Sequence, residues 1–301
     1  MEQGLEAPES GPVFLNGRFM PLNEAHVSVL DRGFVFGDGV YEVIPVYSCH
    51  AFRLDEHLRR LEHSLAAIRL VNPYSLEQWR HMIGELILLN PWEDQSIYLQ
   101  VTRGVARRDH AFPEITNPTV FMMSTCLTTP SQDLVSNGAS AITAVDFRWE
   151  HCDVKAIALL PNVLLRQAAV DAGANEAILV RKGWLTEGAA SNIFLVRDGV
   201  IHAPPKDQYM LPGITYDVVL ELAHQYRLPL SVAPVPEAWL YMADEIWQTS
   251  STREVLAVTR LNGQPVGAGV PGPVFKRMYA LYQSYKDTIM RGKDGLTPDI
   301  A

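Results

Sequence analysis

Glu176-Ala-Ile-Leu-Val-Arg181 runs into Lys182-Gly183, and Asn192-Ile-Phe-Leu-Val196 is followed by Asp198-Gly199 and Val200-Ile-His202. Short apolar runs joined by two-residue turns that end in glycine read as hairpin strands. Asn162–Ala172, stopped by Gly173, reads as a helix before this block, and Ile214–Tyr226 as one after it. Upstream, Leu54, Leu58, Leu61, Leu65 and Ile68 recur at spacings of three and four. They predict an amphipathic helix over Arg53–Leu70 with Asp55 as its N-cap. Ser75-Leu-Glu-Gln78 is a capping-box pattern that opens a second helix, to about Asn90. Ile97, Leu99 and Val101 alternate with polar residues as a strand, and Thr119–Ser124, Glu245–Thr249 and Val255–Val258 are further strands. Pro273–Met290 is a last amphipathic helix. Helices and strands mix without regular βαβ alternation, so the fold class is α+β.

A chain of 301 residues favours two domains. The breaker-rich Thr128-Thr-Pro-Ser-Gln132 marks the boundary. The expected division is a disordered tail over 1–12, an N-terminal α/β domain over 13–127, a linker over 128–134, a C-terminal domain over 135–290 and a tail over 291–301. With 48% hydrophobic and 20% charged residues, a packed core is expected and wholesale disorder is excluded. A net charge of −9 argues against nucleic-acid binding. Cys49, Cys126 and Cys152 lie far apart, which speaks against a disulfide scaffold or a cysteine zinc site and fits a reducing compartment. The first twelve residues have no apolar core of a signal peptide, and no apolar stretch approaches the ~20 residues that span a bilayer. The expectation is a soluble cytoplasmic protein without membrane partners.

No P-loop, HExxH or GxSxG pattern occurs, and Gly37-Asp-Gly39 does not complete a dinucleotide fingerprint. His57 and His63 are six apart, on different helix faces, so they read as solvated or core-edge histidines and no metal is expected. The informative stretch is Asp153–Asn192. Lys155 lies among apolar residues, where a lysine either snorkels or is desolvated into a nucleophilic amine. On spacing alone snorkelling is the expected state. Thr186-Glu-Gly-Ala-Ala-Ser-Asn192 puts an acid on a small-residue turn, and on its own Glu187 reads as a solvated turn residue.

Six motifs in order change that reading. Asp31-Arg-Gly-Phe-Val-Phe-Gly-Asp-Gly-Val-Tyr-Glu42, His57-Leu-Arg-Arg-Leu61, Lys155, Thr186-Glu-Gly with Ser191-Asn192, Leu211-Pro-Gly-Ile-Thr215 and Thr249-Ser-Ser-Thr252 follow one another along the chain. Together they resemble the fold-type IV pyridoxal-phosphate enzymes, which include branched-chain aminotransferases, D-amino-acid aminotransferases and aminodeoxychorismate lyase. The resemblance runs from about Val13 to Lys286. It implies a smaller N-terminal α/β domain, a larger C-terminal pseudo-barrel domain and the cofactor pyridoxal 5'-phosphate. By the resemblance Lys155 is the Schiff-base lysine and proton carrier, and Glu187 faces the pyridine nitrogen with Ser191 and Asn192 in its motif. Arg60, chosen over Arg59 by the H-x-x-R-L spacing, grips the phosphate. The backbone N–H groups of Ile214 and Thr215 and the hydroxyls of Ser250 and Ser251 complete the phosphate site.

Within that family, Thr102-Arg-Gly-Val-Ala-Arg-Arg-Asp-His-Ala-Phe-Pro113 resembles the loop of the D-amino-acid aminotransferases. On its own it reads as a solvated basic turn. The resemblance makes Arg108 and His110, with Tyr41, the trap for the substrate α-carboxylate, and implies a homodimer in which the loop serves the other subunit's site. Amino acids and 2-oxo acids are then the small-molecule partners, with D-alanine-like donors and 2-oxoglutarate-like acceptors. Val43, Leu211 and the segment around Pro45 are candidate pocket walls. Arg253 has three readings: pairing with Glu254, binding phosphate, or contacting an acidic substrate. Phe34 stands where relatives can carry a more polar aromatic, so any hydroxyl role is lost. The alternatives are a branched-chain L-amino-acid aminotransferase, an (R)-amine transaminase, a lyase of the aminodeoxychorismate type, and a non-catalytic cofactor carrier.

Overall fold

The computed structural model describes residues 11–292. It divides into two compact units. The first holds the described residues 11–128, 154–158 and 287–292; the second holds Thr129–Asp153 and Leu159–Lys286. This differs from the expected division in three places. The expected linker already opens a helix at Gln132, Val154–Ala158 belongs to the first unit, and so do residues 287–290. Of the two expected tails, 1–10 and 293–301 lie outside the described residues. Gly11, however, donates its N–H to Oδ1 of Asn90 at 2.9 Å, and Arg291 pairs with Asp94 at 2.6 Å, so both ends are tied down.

The first unit is a six-stranded sheet with helices on it. Its strands are β1 (Val13–Leu15), β2 (Arg18–Met20), β3 (Gly39–Tyr47), β4 (His50–Ala51), β5 (Gln95–Thr102) and β6 (Thr119–Cys126). They are ordered β2-β1-β6-β5-β3-β4, all antiparallel. The short helix α1 (Arg32–Phe36) leads into β3; α2 (Leu54–Ala67) and α3 (Leu76–Leu88) cover the sheet. Leu58, Leu61 and Leu65 of α2 and Trp79, Ile83 and Leu86 of α3 pack with Ile44, Val46, Ile97 and Leu99 of the sheet. The capping box at Ser75 forms as expected, with Ser75 Oγ accepting from Gln78 N–H and Gln78 Oε1 accepting from Ser75 N–H. Asp55 does not cap α2. Arg53 takes the N-cap position in the left-handed region, φ 49°, and Asp55 pairs instead with Arg80 of α3 at 2.9 Å.

The second unit has nine strands. These are β7 (Ala139–Val145), β8 (Glu176–Arg181), β9 (Trp184–Gly188), β10 (Asn192–Arg197), β11 (Val200–Ala203), β12 (Leu230–Val232), β13 (Glu245–Ser250), β14 (Glu254–Leu261) and β15 (Gln264–Pro265). The sheet runs β12-β11-β10-β13-β14-β7-β8-β9, with β15 beside β14. Five helices accompany it: α4 (Gln132–Asn137), α5 (Leu160–Asp171), α6 (Ile214–Gln225), α7 (Glu237–Leu240) and α8 (Pro273–Tyr285). The last continues as a π-helical turn to Met290. Lys182-Gly183 and Asp198-Gly199 are the expected hairpin turns, each with both residues at positive φ. β10 is buried along Asn192–Val196 because both its faces are covered. Ile193 and Leu195 enter one core, while Phe194 stacks on Tyr216 of α6 at 4.9 Å.

Candidate active site

In the first unit the lysine segment runs alongside β3, joined to it by an isolated antiparallel bridge between Val40 and Ala156. Tyr41 N–H donates to the Lys155 carbonyl at 2.9 Å, Ile157 N–H to that of Gly39 at 3.1 Å, and Lys155 N–H to Ser64 Oγ at 3.2 Å. Val154 anchors this segment in the α2–sheet core. Gly39 must be glycine here, since a Cβ would lie 2.6 Å from the Val101 carbonyl. Lys155 is half-buried, with Nζ 4.1 Å from the centre of the Tyr41 ring. The apolar stretch around Lys155 therefore neither swallows the amine nor merely lets it snorkel; it presents it on an aromatic face.

Alternation along β3 turns Glu42 inward with Val40 and Ile44. Arg60 Nε donates to Glu42 Oε1 at 2.8 Å and Nη2 to Oε2 at 2.7 Å. His57 Nδ1 lies 2.8 Å from Oε2. Burial opposes the Glu42 charge, but Arg60 and then His57 overcome it and hold the carboxyl down to about 2. Burial also holds His57 below its ordinary value, and since the ionised Glu42 carboxylate can only accept, Nδ1–H is the donor to it. The expectation of a solvated or core-edge His57 is corrected: the ring is fully buried, and its Nε2 meets no partner. Arg60 is buried and Arg59 exposed. Sequence reasoning missed Glu42 and His57 as Arg60's neighbours, although one helical turn separates His57 from Arg60 and Glu42 falls on the inward register of β3.

The Arg107–His110 segment is exposed and belongs to no helix or strand. The Phe36 ring gathers it, lying 5.3 Å from the His110 ring and 5.5 Å from Arg108 Cζ. Arg108 and His110 are thus brought side by side.

In the second unit, Glu187 is not a solvated turn residue. It sits in β9, 4% exposed. Arg148 Nη1 donates to its Oε1 at 2.5 Å, and Asn192 Nδ2 and Leu211 N–H donate to Oε2 at 3.1 Å each. Arg148 is itself held by Asp146, through Nε to Oδ1 and Nη2 to Oδ2 at 3.0 Å each. Burial pushes the Glu187 carboxyl up to about 7, with Arg148 pulling the other way. Burial also works against the Arg148 charge, yet Glu187 and Asp146 raise it above its ordinary value. Sequence reasoning missed Arg148; the Asp146-Phe-Arg148 pairing seven residues before Lys155 was the available signal.

Asn192 links the acid to the expected phosphate loop. Its Nδ2 also donates to the Leu211 carbonyl at 2.9 Å, and a Cβ on Gly213 would stand 2.0 Å from its Oδ1. Gly213 then opens α6 without a side-chain cap, with Ile214 and Thr215 as its first residues. Their N–H groups are among the four at a helix start that have no partner within the helix. Ser191 serves another acid, donating from Oγ to Glu176 Oε2 at 2.9 Å. Ser250 Oγ accepts from Arg253 N–H at 3.1 Å, while the neighbouring Thr249 Oγ1 is buried without a partner. The reading that pairs Arg253 with Glu254 is corrected. Arg253 Nη1 donates to Gln248 Oε1 at 2.8 Å and reaches Glu176 at 3.3 Å, while Glu254 pairs with Lys286 at 2.8 Å.

This donor set fits pyridoxal phosphate. Each unit by itself offers part of it: the first presents an amine that suits an aldehyde, and the second a buried carboxylate that suits a ring nitrogen, with an uncapped helix start and an orphaned threonine hydroxyl that suit a phosphate. Among the described residues, no group of histidine, cysteine and acidic side chains could hold a metal ion, and no helix is long and apolar enough to cross a membrane.

The family model described as amino-transferase class IV matches residues 39–261. A D-alanine aminotransferase of Bacillus licheniformis is 41% identical over 272 residues, covering 90% of this chain and 96% of that protein. One from Staphylococcus haemolyticus is 38% identical over 275 residues, covering 91% and 97%. The solved structure of a branched-chain amino acid aminotransferase from T.th., complexed with N-(5'-phosphopyridoxyl)-L-glutamate, is similar with a TM-score of 0.86. It has 29% identity and covers 95% of this chain and 96% of that one. The Escherichia coli branched-chain amino acid aminotransferase matches with a TM-score of 0.84 at 25% identity, covering 97% of each chain. An α+β fold with a curled nine-stranded sheet and these two sets of side chains defines a fold-type IV, pyridoxal-phosphate-dependent transaminase. The chain belongs to the amino-transferase class IV family.

Proposed function

We propose that this enzyme transaminates D-amino acids, with a D-alanine-like donor and a 2-oxoglutarate-like acceptor. The observation that carries the choice of enantiomer is the Arg108-Asp-His110 loop, whose Arg108 and His110 side chains share the Phe36 ring. Relatives at 38% and 41% identity named D-alanine aminotransferases support it.

Bound pyridoxal phosphate supplies an aldehyde for an amine and a ring that accepts electron density from the substrate Cα. Lys155 Nζ holds the cofactor and, once freed, carries the proton to and from Cα. Glu187, oriented by Asn192 and Arg148, holds a proton at the ring nitrogen. Arg60, the N–H groups of Ile214 and Thr215, and the hydroxyls of Ser250 and Ser251 bind the phosphate. Arg108, His110 and Tyr41 fix the substrate carboxylate and so decide which Cα–H reaches Lys155.

A second copy of the chain completes the enzyme. Val29, Phe34 and Ile115 are 70%, 76% and 80% exposed, apolar side chains of the loop's own unit that a homodimer would cover. Incubation with D- or L-alanine and 2-oxoglutarate tests the reading. Pyruvate is expected from the D-enantiomer; faster turnover of L-alanine or L-leucine overturns it in favour of the branched-chain alternative.

A further inference from the structure

Arg32 is buried, yet none of the roles above uses it. Its Nε donates to Asp38 Oδ2 at 2.8 Å. Its Nη1 donates to the carbonyls of Asp109 at 2.5 Å and Ala111 at 3.3 Å, and Nη2 to that of His110 at 3.4 Å. The guanidinium carbon lies 4.9 Å from the centre of the Phe36 ring, the ring that also meets Arg108 and His110. Asp38 is fixed from its other side by Arg103 Nε at 2.8 Å and Nη2 at 3.0 Å. Arg103 Nη2 in turn donates to the Ile68 carbonyl at the end of α2, at 2.7 Å. One side chain thus spans three successive carbonyls of an exposed loop and ties them to the start of β3.

We infer that Arg32, with Phe36 as its platform, is the positioning residue of the substrate-carboxylate loop, presetting Arg108–Ala111 in the shape that binds an amino acid. This rests on the assignment of Arg108 and His110 given above. A loop of exposed residues must otherwise be ordered each time substrate binds, and that entropy is taken from affinity. The planar fork is what the task needs: a lysine ammonium keeps the charge but is a point donor that cannot span three carbonyls. The clamp therefore separates from a mere charge effect, in which Arg32→Lys would behave as wild type.

The test compares wild type, Arg32→Lys, Phe36→Leu and Arg108→Ala as holoenzymes. The readouts are amide hydrogen exchange over residues 106–112, KM and kcat with D-alanine, and pyridoxal phosphate affinity by absorbance titration. Arg32→Lys is expected to quicken exchange in that segment and to raise KM about tenfold, with a smaller fall in kcat and unchanged cofactor affinity. Phe36→Leu, which leaves every charge in place, should move the same readouts in the same direction and carries the test if Arg32→Lys fails to fold. If Arg108→Ala raises KM while both other variants keep wild-type exchange and KM, the clamp is wrong and the trap stands. If Arg108→Ala leaves KM unchanged, the trap is wrong and the clamp loses its function with it.

Discussion

Lys155 in its sequence context left two readings open, and the structure resolves them through a neighbour far upstream. The Tyr41 ring under Nζ, and the backbone bond between the same two residues, give the amine a fixed station. Lys155→Ala is expected to lower turnover by several orders of magnitude, since proton transfer alone contributes about 10²–10⁴-fold. Borohydride reduction of the holoenzyme followed by peptide mapping should place the cofactor adduct on Lys155; an adduct on Lys182 or Lys206 would refute the assignment. Glu42 gives a pH prediction. Its carboxyl falls from 4.5 to about 2 on folding. A depressed pKa contributes stability that is present above the unfolded value and lost as pH falls through the folded one. Its size is about 3 kcal/mol from the linkage relation. Urea unfolding of the cofactor-free protein should therefore lose stability between about pH 5 and pH 2 more steeply than Glu42→Gln does. Equal slopes would mean that the Arg60–Glu42 pair is not held in solution.

Elements with a strong local signal were legible in the sequence: α2 and α3 by periodicity, Ser75 by its capping box, and the β10–β11 hairpin and the turn after β8 by their glycines, though β9 itself was not read as a strand. β3 was not, because its glycine, proline and buried Glu42 obscure the alternation that a half-buried strand shows. The acid on β9 misled for a related reason: small residues around Glu187 look like a turn until Arg148 and Asn192, distant or displaced in sequence, bury and pair it. The six motifs pointed to the candidate site residues, whereas the hydrogen-bond partners of those residues come from tertiary packing that no single window of sequence contains. Gly213 tests the element that joins acid to phosphate loop. With 2.0 Å between its absent Cβ and Asn192 Oδ1, Gly213→Ala must push Asn192 off Glu187 or shift the start of α6. Either displacement should weaken pyridoxal phosphate binding at least about tenfold, the loss of one charge-assisted hydrogen bond. Equilibrium titration measures it, and unchanged affinity would place the phosphate elsewhere.

On the scale of the whole molecule, the chain returns to its first unit for Val154–Ala158 after entering the second, so Lys155 folds with Tyr41, Ser64 and Gly39. The same unit carries the exposed Arg108–His110 loop. If that loop serves the site of a second copy, the two groups needed for one turnover come from different chains. Arg108→Ala and Lys155→Ala proteins, each impaired alone, should then complement. In a mixed dimer, one of the two sites draws its lysine from the Arg108→Ala chain and its loop from the Lys155→Ala chain, so it is intact, while the other lacks both groups. Random exchange of equal amounts puts half of all dimers in the mixed state, each with one working site of two. D-alanine turnover should therefore recover to about one quarter of wild type, once exchange is complete and each single variant is near zero on the scale of charge-assisted contacts and proton transfer. Subunit exchange is verified by mass spectrometry of differently tagged copies. Exchange without recovery would assign Arg108 to its own chain's site or to none, and would remove the second copy from the chemistry while leaving the lysine's role intact.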